Sequence, residues 1–523
     1  MPQCQQCKKQ FNITQQVQSL MERLKLHDLK YCFDCAKQIR LSFWPYGNFY
    51  PKKDDLTGEN IITTYPPQTK FPIYKRSNWH SDNWQAPQIE YDKNRTFFEQ
   101  LIELQQKTPH FHALGDAESE NCDYCDDVWA SRNCYYNRSF AECENLHYSY
   151  RNVKVKDSID TTFCFNLNNC YDCTYCFDSY GLKYSINSRN CLDSYFLYDC
   201  RQCENCFMCW NLRHKKYCIK NEQYSEKDYN NKIKEYKLND YQKLQKLKQE
   251  FSKILKDRAQ HKQDLNTKVE NCNGNFLDKD KYLCNCYLTQ ESENCYDFFR
   301  GLQNKDSLST SGLYKGELNY FVVQSTNIYN SKFILYSVNC SDCEYLDQCY
   351  DCKDCFGCVG LKKQQYYILN KQYVEEEYYQ IINILRKTSD YGKFFPQIMA
   401  YNGYNASLAR FYYPLNQEEI IKFGSYYEEE PVVINKKDAI ICEVTKKPFK
   451  LIPQEIEFYQ KNNIPTPHHH PDHRNIVRYQ FMTAVKPQLG NCYKCQKEII
   501  HYYPQEWNYQ NILCNKCYHE NIY

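Results

Sequence analysis

Thirty-three cysteines in 523 residues, most of them spaced two residues from another cysteine, constrain this chain more than any other feature. Thiols at this density end up either as cystines or on metal ions. The stretch Met1 to Lys9 is polar and already carries Cys4 and Cys7, unlike a cleavable secretory signal. The expected setting is therefore cytoplasmic and reducing, where closely spaced thiols hold metal in preference to pairing as disulfides. No apolar run approaches the ~20 residues needed to cross a bilayer, so no membrane partner is expected. A net charge of +2 gives no global attraction to nucleic acid.

Four thiolates in two Cys-x2-Cys hooks suit one tetrahedral zinc ion. Cys4, Cys7, Cys32 and Cys35 form one such set, with 24 residues between the hooks; Cys492, Cys495, Cys514 and Cys517 form another, with 18. In the C-terminal set, Glu498 to Tyr503 reads as a strand, Pro504 to Asn508 as a turn and Tyr509 to Leu513 as the return strand, which is a zinc ribbon. In the N-terminal spacer Val17, Leu20, Met21 and Leu24 follow Thr14 at helical spacing, so a short helix is expected there. Four protein sulfurs leave no open coordination position, which predicts two structural ions. A third set is conceivable: Cys442, His470 and His473 supply three ligands with a position open beside Thr445, or else these residues form a polar surface.

Between residues about 119 and 370 a phrase recurs: Asn121-Cys122, Asn133-Cys134, Asn169-Cys170, Asn190-Cys191, Asn294-Cys295 and Asn339-Cys340, often 12 or 21 residues apart. Tyr, Phe and Cys segments between such turns suit the coils of a β-solenoid, each burying its inward residue by stacking. A larger duplication overlies this, because Cys200, Cys203, Cys206, Cys209, Leu212, Tyr217, Ile219, Asn221, Tyr224 and Tyr229 recur 149 residues later. The two Cys ladders have an iron–sulfur look, yet neither has the x3 gap followed by Cys-Pro. An inward column of buried thiols is the expectation, with zinc as the cofactor and an iron–sulfur cluster disfavoured.

The expected fold is mainly β: a central cysteine-rich β-solenoid-like repeat body in two related arrays, with helical inserts and zinc-binding modules at both ends. Residues 1–40 form the N-terminal Cys4 module and 41–115 an aromatic α+β module. In the latter Trp79, His80 and Trp84 pack against a helix bearing Phe97, Phe98, Leu101 and Leu104. The first array covers 116–224, an amphipathic helix 225–268, the second array 269–373, a short helix 374–387, and a Tyr-rich connector with the acidic run Glu428 to Glu430 covers 388–440. Residues 441–523 hold the Cys/His module and the final ribbon.

These motifs resemble an uncharacterised family of large zinc-ribbon, cysteine-repeat proteins abundant in small-genome candidate-phylum bacteria. The matching stretches are Cys4-Gln-Gln-Cys7 with Phe11 to Thr14, Asn94 to Gln100, Asn187 to Asp199 leading into the first ladder, Leu212 to Tyr224, Cys442 to Lys450, His470 to Arg474 and the final ribbon. The chain departs from the family at Lys52 to Asp54, where a cysteine is usual before Leu56-Thr57-Gly58, so an additional metal site there is doubtful. The resemblance implies architecture and no substrate.

No catalytic constellation stands out. The sequence reads as a zinc-binding structural or interaction scaffold for another macromolecule, protein or nucleic acid. One alternative is a nucleic-acid or ribosome binder presenting Lys37, Arg40, His468, His469, Arg474 and Arg478 to phosphates. Another is an enzyme using an open zinc at Cys442, His470 and His473 or an iron–sulfur relay.

Overall fold

The computed structural model describes residues 1–116, 118–429 and 439–523. Glu430 of the acidic run and the connector beyond it to 438 lie outside the described residues. The chain divides into two compact units, Met1–Ala113 with Leu265–Glu429, and Leu114–Asp264 with Glu430–Tyr523. It is β-rich, with twelve α-helices among the described residues and a cysteine cluster toward each end. Among the described residues no helix is long and apolar enough to cross a membrane.

In the first unit ten strands, Gly274–Asp278 through Lys371–Gln372, pair in chain order. The second unit holds a nine-stranded sheet between Glu120–Asp123 and Phe177–Tyr180 and a four-stranded one from Tyr195–Tyr198 to Glu222–Gln223. The parallel pairs advance by 12 residues, as in Glu120↔Arg132, Ile159↔Tyr171, Tyr320↔Lys332 and Lys353↔Gln365. In each unit the run closes with a short antiparallel return, Ile219↔Glu222 and Ile368↔Lys371, which covers the last parallel edge.

The true period is three. From Asn121 to Lys220, and again from Phe276 to Leu369, every third residue has positive φ. Left-handed backbone costs most side chains roughly 1 kcal/mol and costs Asn and Asp least. This places Asn at the turn in Asn133-Cys134, Asn190-Cys191 and Asn339-Cys340, with the cysteine one step on pointing inward, where all three are nearly fully buried. Four triplets make one 12-residue advance.

Inward polar side chains bridge successive passes of the chain. The Cys200 thiol donates to Tyr198 O at 3.5 Å and Cys209 O at 3.6 Å, while Ser188 Oγ accepts the Cys200 N–H at 3.3 Å. Asn319 does both: its Nδ2 donates to Ile328 O at 2.7 Å and its Oδ1 accepts the Ser331 N–H at 3.1 Å. Ser and Asn thus accept interior N–H groups that Val or Leu would leave unpaired, whereas the thiol and amide donors reach carbonyls that also accept a backbone N–H, Tyr198 O from Asn211 and Ile328 O from Glu317.

The two Cys-x2-Cys-x2-Cys-x2-Cys ladders are therefore not columns. Cys200, Cys203, Cys206 and Cys209 fill four consecutive inward positions of a single 12-residue advance, and Cys349, Cys352, Cys355 and Cys358 do the same. Columns form instead at 12-residue separations, as between Cys191 and Cys203 or Cys340 and Cys352. Burial pushes the Cys200 and Cys349 thiols well above their ordinary range.

The amphipathic stretch after Ser225 is two helices, Glu226–Glu235 and Tyr241–Asp257, because Asp240 starts a new one by accepting the Lys243 N–H at 3.1 Å. The second helix buries Leu244, Leu247, Phe251, Ile254 and Leu255. In the aromatic module Trp79 is fully buried, donates Nε1–H to Pro109 O at 2.8 Å and packs on Phe111 and Tyr350. The helix Phe97–Lys107, with a complete capping box at Thr96, instead seats Phe97 on Tyr345 and Phe356. Trp79 and the Phe97 ring thus meet different strand residues of the sheet, Tyr350 in one case and Phe356 in the other.

Candidate metal centres

Each tetrad is built from one hairpin and one helix. In the first unit the chain bridges Gln3 to Gln10 across a turn in which Cys4 N–H donates to Lys9 O and Lys8 N–H to Cys4 O, with Lys8 left-handed. Cys32 is the N-cap of the helix Phe33–Ser42, so Cys35 lies in its first turn. In the second unit Gln488–Asn491 pairs with Glu498–His501 around the Cys492-to-Cys495 turn, and Cys514 caps the helix Asn515–Ile522.

This corrects the ribbon reading. Ile512–Leu513 does not return along Glu498–His501; it runs parallel to His261–Lys262, and the second hook sits on a helix. The signal was Asn515 to Ile522, which has no strand alternation. The same holds for Cys32 to Cys35, where the spacer helix Gln15–Arg23 is present as expected but a second helix carries the thiols.

The four Sγ atoms of each tetrad lie within 4.8 Å of one another. Cys7 and Cys32 are 3.8 Å apart and Cys495 and Cys514 3.9 Å, and all eight thiols are free. A tetrahedral ion with bonds of ~2.3 Å separates its sulfurs by about 3.8 Å, whereas a disulfide needs ~2.05 Å. The donor set and spacing fit one metal ion each. The side-chain hydrogen bond from Cys35 draws the Cys32 thiol down to about 5 and pushes Cys35 up in return. Burial works against the Cys492 thiolate, but the N–H groups of Cys495, Cys514 and Lys494 outweigh it and bring it to about 6; the Cys514 N–H lies 3.3 Å from Cys492 Sγ. Thiolates held by N–H groups are the form a metal takes up.

Cys442, His470 and His473 do not bring their ligand atoms within 4.8 Å of one another. Among the described residues the two tetrads alone bring three or more such ligand atoms within 4.8 Å of one another. Cys442 is buried and its Sγ accepts the Thr445 N–H at 3.4 Å. His470 caps the helix Pro471–Tyr479, its Nδ1 accepting the Asp472 N–H at 3.1 Å, and His473 meets His469 edge-on. Glu443 engages His468 at 2.8 Å.

The cations singled out for phosphate binding are mostly internal. Arg40 is 0% exposed and pairs with Asp297 at 2.9 Å, and Lys37 is buried beside it. Arg474 meets Asp160 at 2.5 Å and Arg478 meets the same carboxylate at 3.0 Å. Of the six, His468 and His469 retain substantial exposure. Sequence reasoning missed these buried pairs because a cation's partner, 257 positions away for Arg40 and 314 for Arg474, leaves no local mark.

No family model matches the chain, and no curated protein matches it.

Proposed function

We propose that the protein is a zinc-dependent structural and interaction scaffold that recognises another macromolecule, built of two related β-solenoid arrays, each carrying a zinc tetrad on a hairpin-and-helix module. One observation carries this reading. Both tetrads offer four protein sulfurs and so close the coordination sphere, which suits an ion that holds structure and leaves no position for a reacting water. The 12-residue parallel register and the three-residue left-handed period support the solenoid. Internal pairing of Arg40, Arg474 and Arg478 takes them away from any phosphate and favours a protein partner over nucleic acid.

The test is metal analysis of protein purified from its own cell, with co-purifying macromolecules identified. Two zinc ions per chain and a partner retained through a high-salt wash are expected. Iron in the preparation, or a nucleic-acid partner lost steeply with salt, overturns the reading.

A further inference from the structure

Among the described residues the hairpin-and-helix module occurs four times, and not only where cysteines mark it. The strand register brackets each turn identically: Gln3↔Gln10, Lys53↔Asn60, Ile441↔Pro448 and Asn491↔Glu498 stand one residue before and six after Cys4, Asp54, Cys442 and Cys492. In each, the first residue's N–H donates five positions on, to Lys9, Glu59, Lys447 and Lys497. The fifth residue is left-handed in each: Lys8, Gly58, Lys446 and Gln496. The second residue donates to the carbonyl two before the helix cap: Gln5 to Lys30, Asp55 to Ile73, Glu443 to His468 and Tyr493 to Ile512, at 2.8 to 3.2 Å. The caps are Cys32, Lys75, His470 and Cys514.

By this register the four corners that are Cys4, Cys7, Cys32 and Cys35 in one module are Asp54, Thr57, Lys75 and Asn78 in another. We infer that this second module is a metal-knuckle framework in which the Asp54 carboxylate replaces the ion as the hub joining the corners. Asp54, 2% exposed, accepts from Thr57 N–H at 3.2 Å, Lys75 N–H at 2.9 Å and Asn78 Nδ2 at 2.5 Å, and so touches all three other corners. Leu56 N–H adds a fourth donor at 2.7 Å, and Asn78 also reaches Thr57 Oγ1 at 3.3 Å. The charge pattern is inverted: a cation among four thiolates becomes an anion among N–H donors. Lys75 Nζ turns away to Glu59 at 2.7 Å, leaving its backbone N–H at the corner. The Lys75 N–H to Asp54 bond repeats the Cys514 N–H to Cys492 Sγ bond of the C-terminal tetrad.

The experiment is to install thiols at these corners in the full-length chain, D54C/T57C/K75C/N78C, and titrate with Co(II) while counting bound metal. One additional equivalent over the native protein, with the intense near-ultraviolet sulfur-to-cobalt band of a tetrathiolate, is expected. A folded variant that gains no equivalent overturns the inference. Should the variant fail to fold, Asp54→Ala decides: the inference requires an unchanged metal count and a lowered unfolding midpoint shifted equally with and without chelator. A lost metal equivalent, or an unchanged midpoint, overturns it. Neither readout depends on whether a macromolecular partner exists.

Discussion

The knuckles at Cys4 and at Asp54 share a backbone and differ in what holds them. Around Cys4 the corners are thiols that repel one another when ionised, so the geometry is stable with an ion at the centre. Around Asp54 the corners are donors converging on one carboxylate, and the geometry is complete within the chain. The same turn and helix cap can therefore be cross-linked by a metal or by one buried anion. The difference teaches where metal dependence resides: in four side chains, not in the fold of the module.

The strongest way to break this comparison is to remove a hook. Cys492→Ser with Cys495→Ser is expected to lose one metal equivalent and on the order of 10 kcal/mol of metal-linked folding free energy in its unit, read by metal content and by chelator-dependent unfolding. Retention of both ions would show that the tetrads are not the metal centres.

Next comes a carboxylate whose burial outweighs its three donors, the Asp278 and Ser292 N–H groups and the Thr289 hydroxyl. Asp280 occupies an inward position where Asn304 and Asn319 sit elsewhere, accepts from Ser292 N–H at 2.7 Å and Thr289 Oγ at 2.8 Å, and is raised by burial from 3.8 to about 7. A raised acid favours the fold when protonated, so stability falls as pH climbs from about 4 through 7. Asp280→Asn should therefore stabilise by roughly 3 kcal/mol at pH 8 and change little at pH 4, measured by urea midpoints. An equal effect at both pH values would remove ionisation as the cause.

Asp54 should behave in the opposite sense. Burial would raise it, yet the N–H groups of Lys75, Leu56 and Thr57 and the Asn78 amide hold it below 3.8. Its stabilisation is complete above the unfolded value and is lost as pH falls beneath it. Hydrogen exchange of the Lys75 and Thr57 amides should accelerate below pH 4 in native protein and be fast at all pH values in Asp54→Ala.

The smallest effect tests the repeat. Asn339 is left-handed with φ 54 and lies in a ladder with Asn327 and Asp351 at 2.9 Å. Asn339→Val should cost about 1 to 2 kcal/mol, and Asn339→Gly less, in thermal unfolding.

The tetrads were legible because Cys-x2-Cys is a local signature, and so were the helix after Thr14 and the helix bearing Phe97 and Leu101. The three-residue period was hidden behind the phrase spacings of 12 and 21, both multiples of three. One corner in each triplet accepts Asn, Asp, Tyr or Lys alike, so composition blurs the beat that backbone angles show plainly. The helical second hook at Cys514 was masked by the return-strand reading of Tyr509 to Leu513, which the pairing of Ile512 with His261 contradicts.

Residue order alone determined which thiols form each hook, since two residues is the reach of one knuckle, and it determined that Asn precedes an inward Cys. Only the tertiary structure decided that Arg40, Arg474 and Arg478 face inward, and that Asp54 stands where a sulfur stands elsewhere. Those outcomes depend on partners brought close by pairing across distant segments, and a side chain's charge does not reveal whether water or another side chain will answer it.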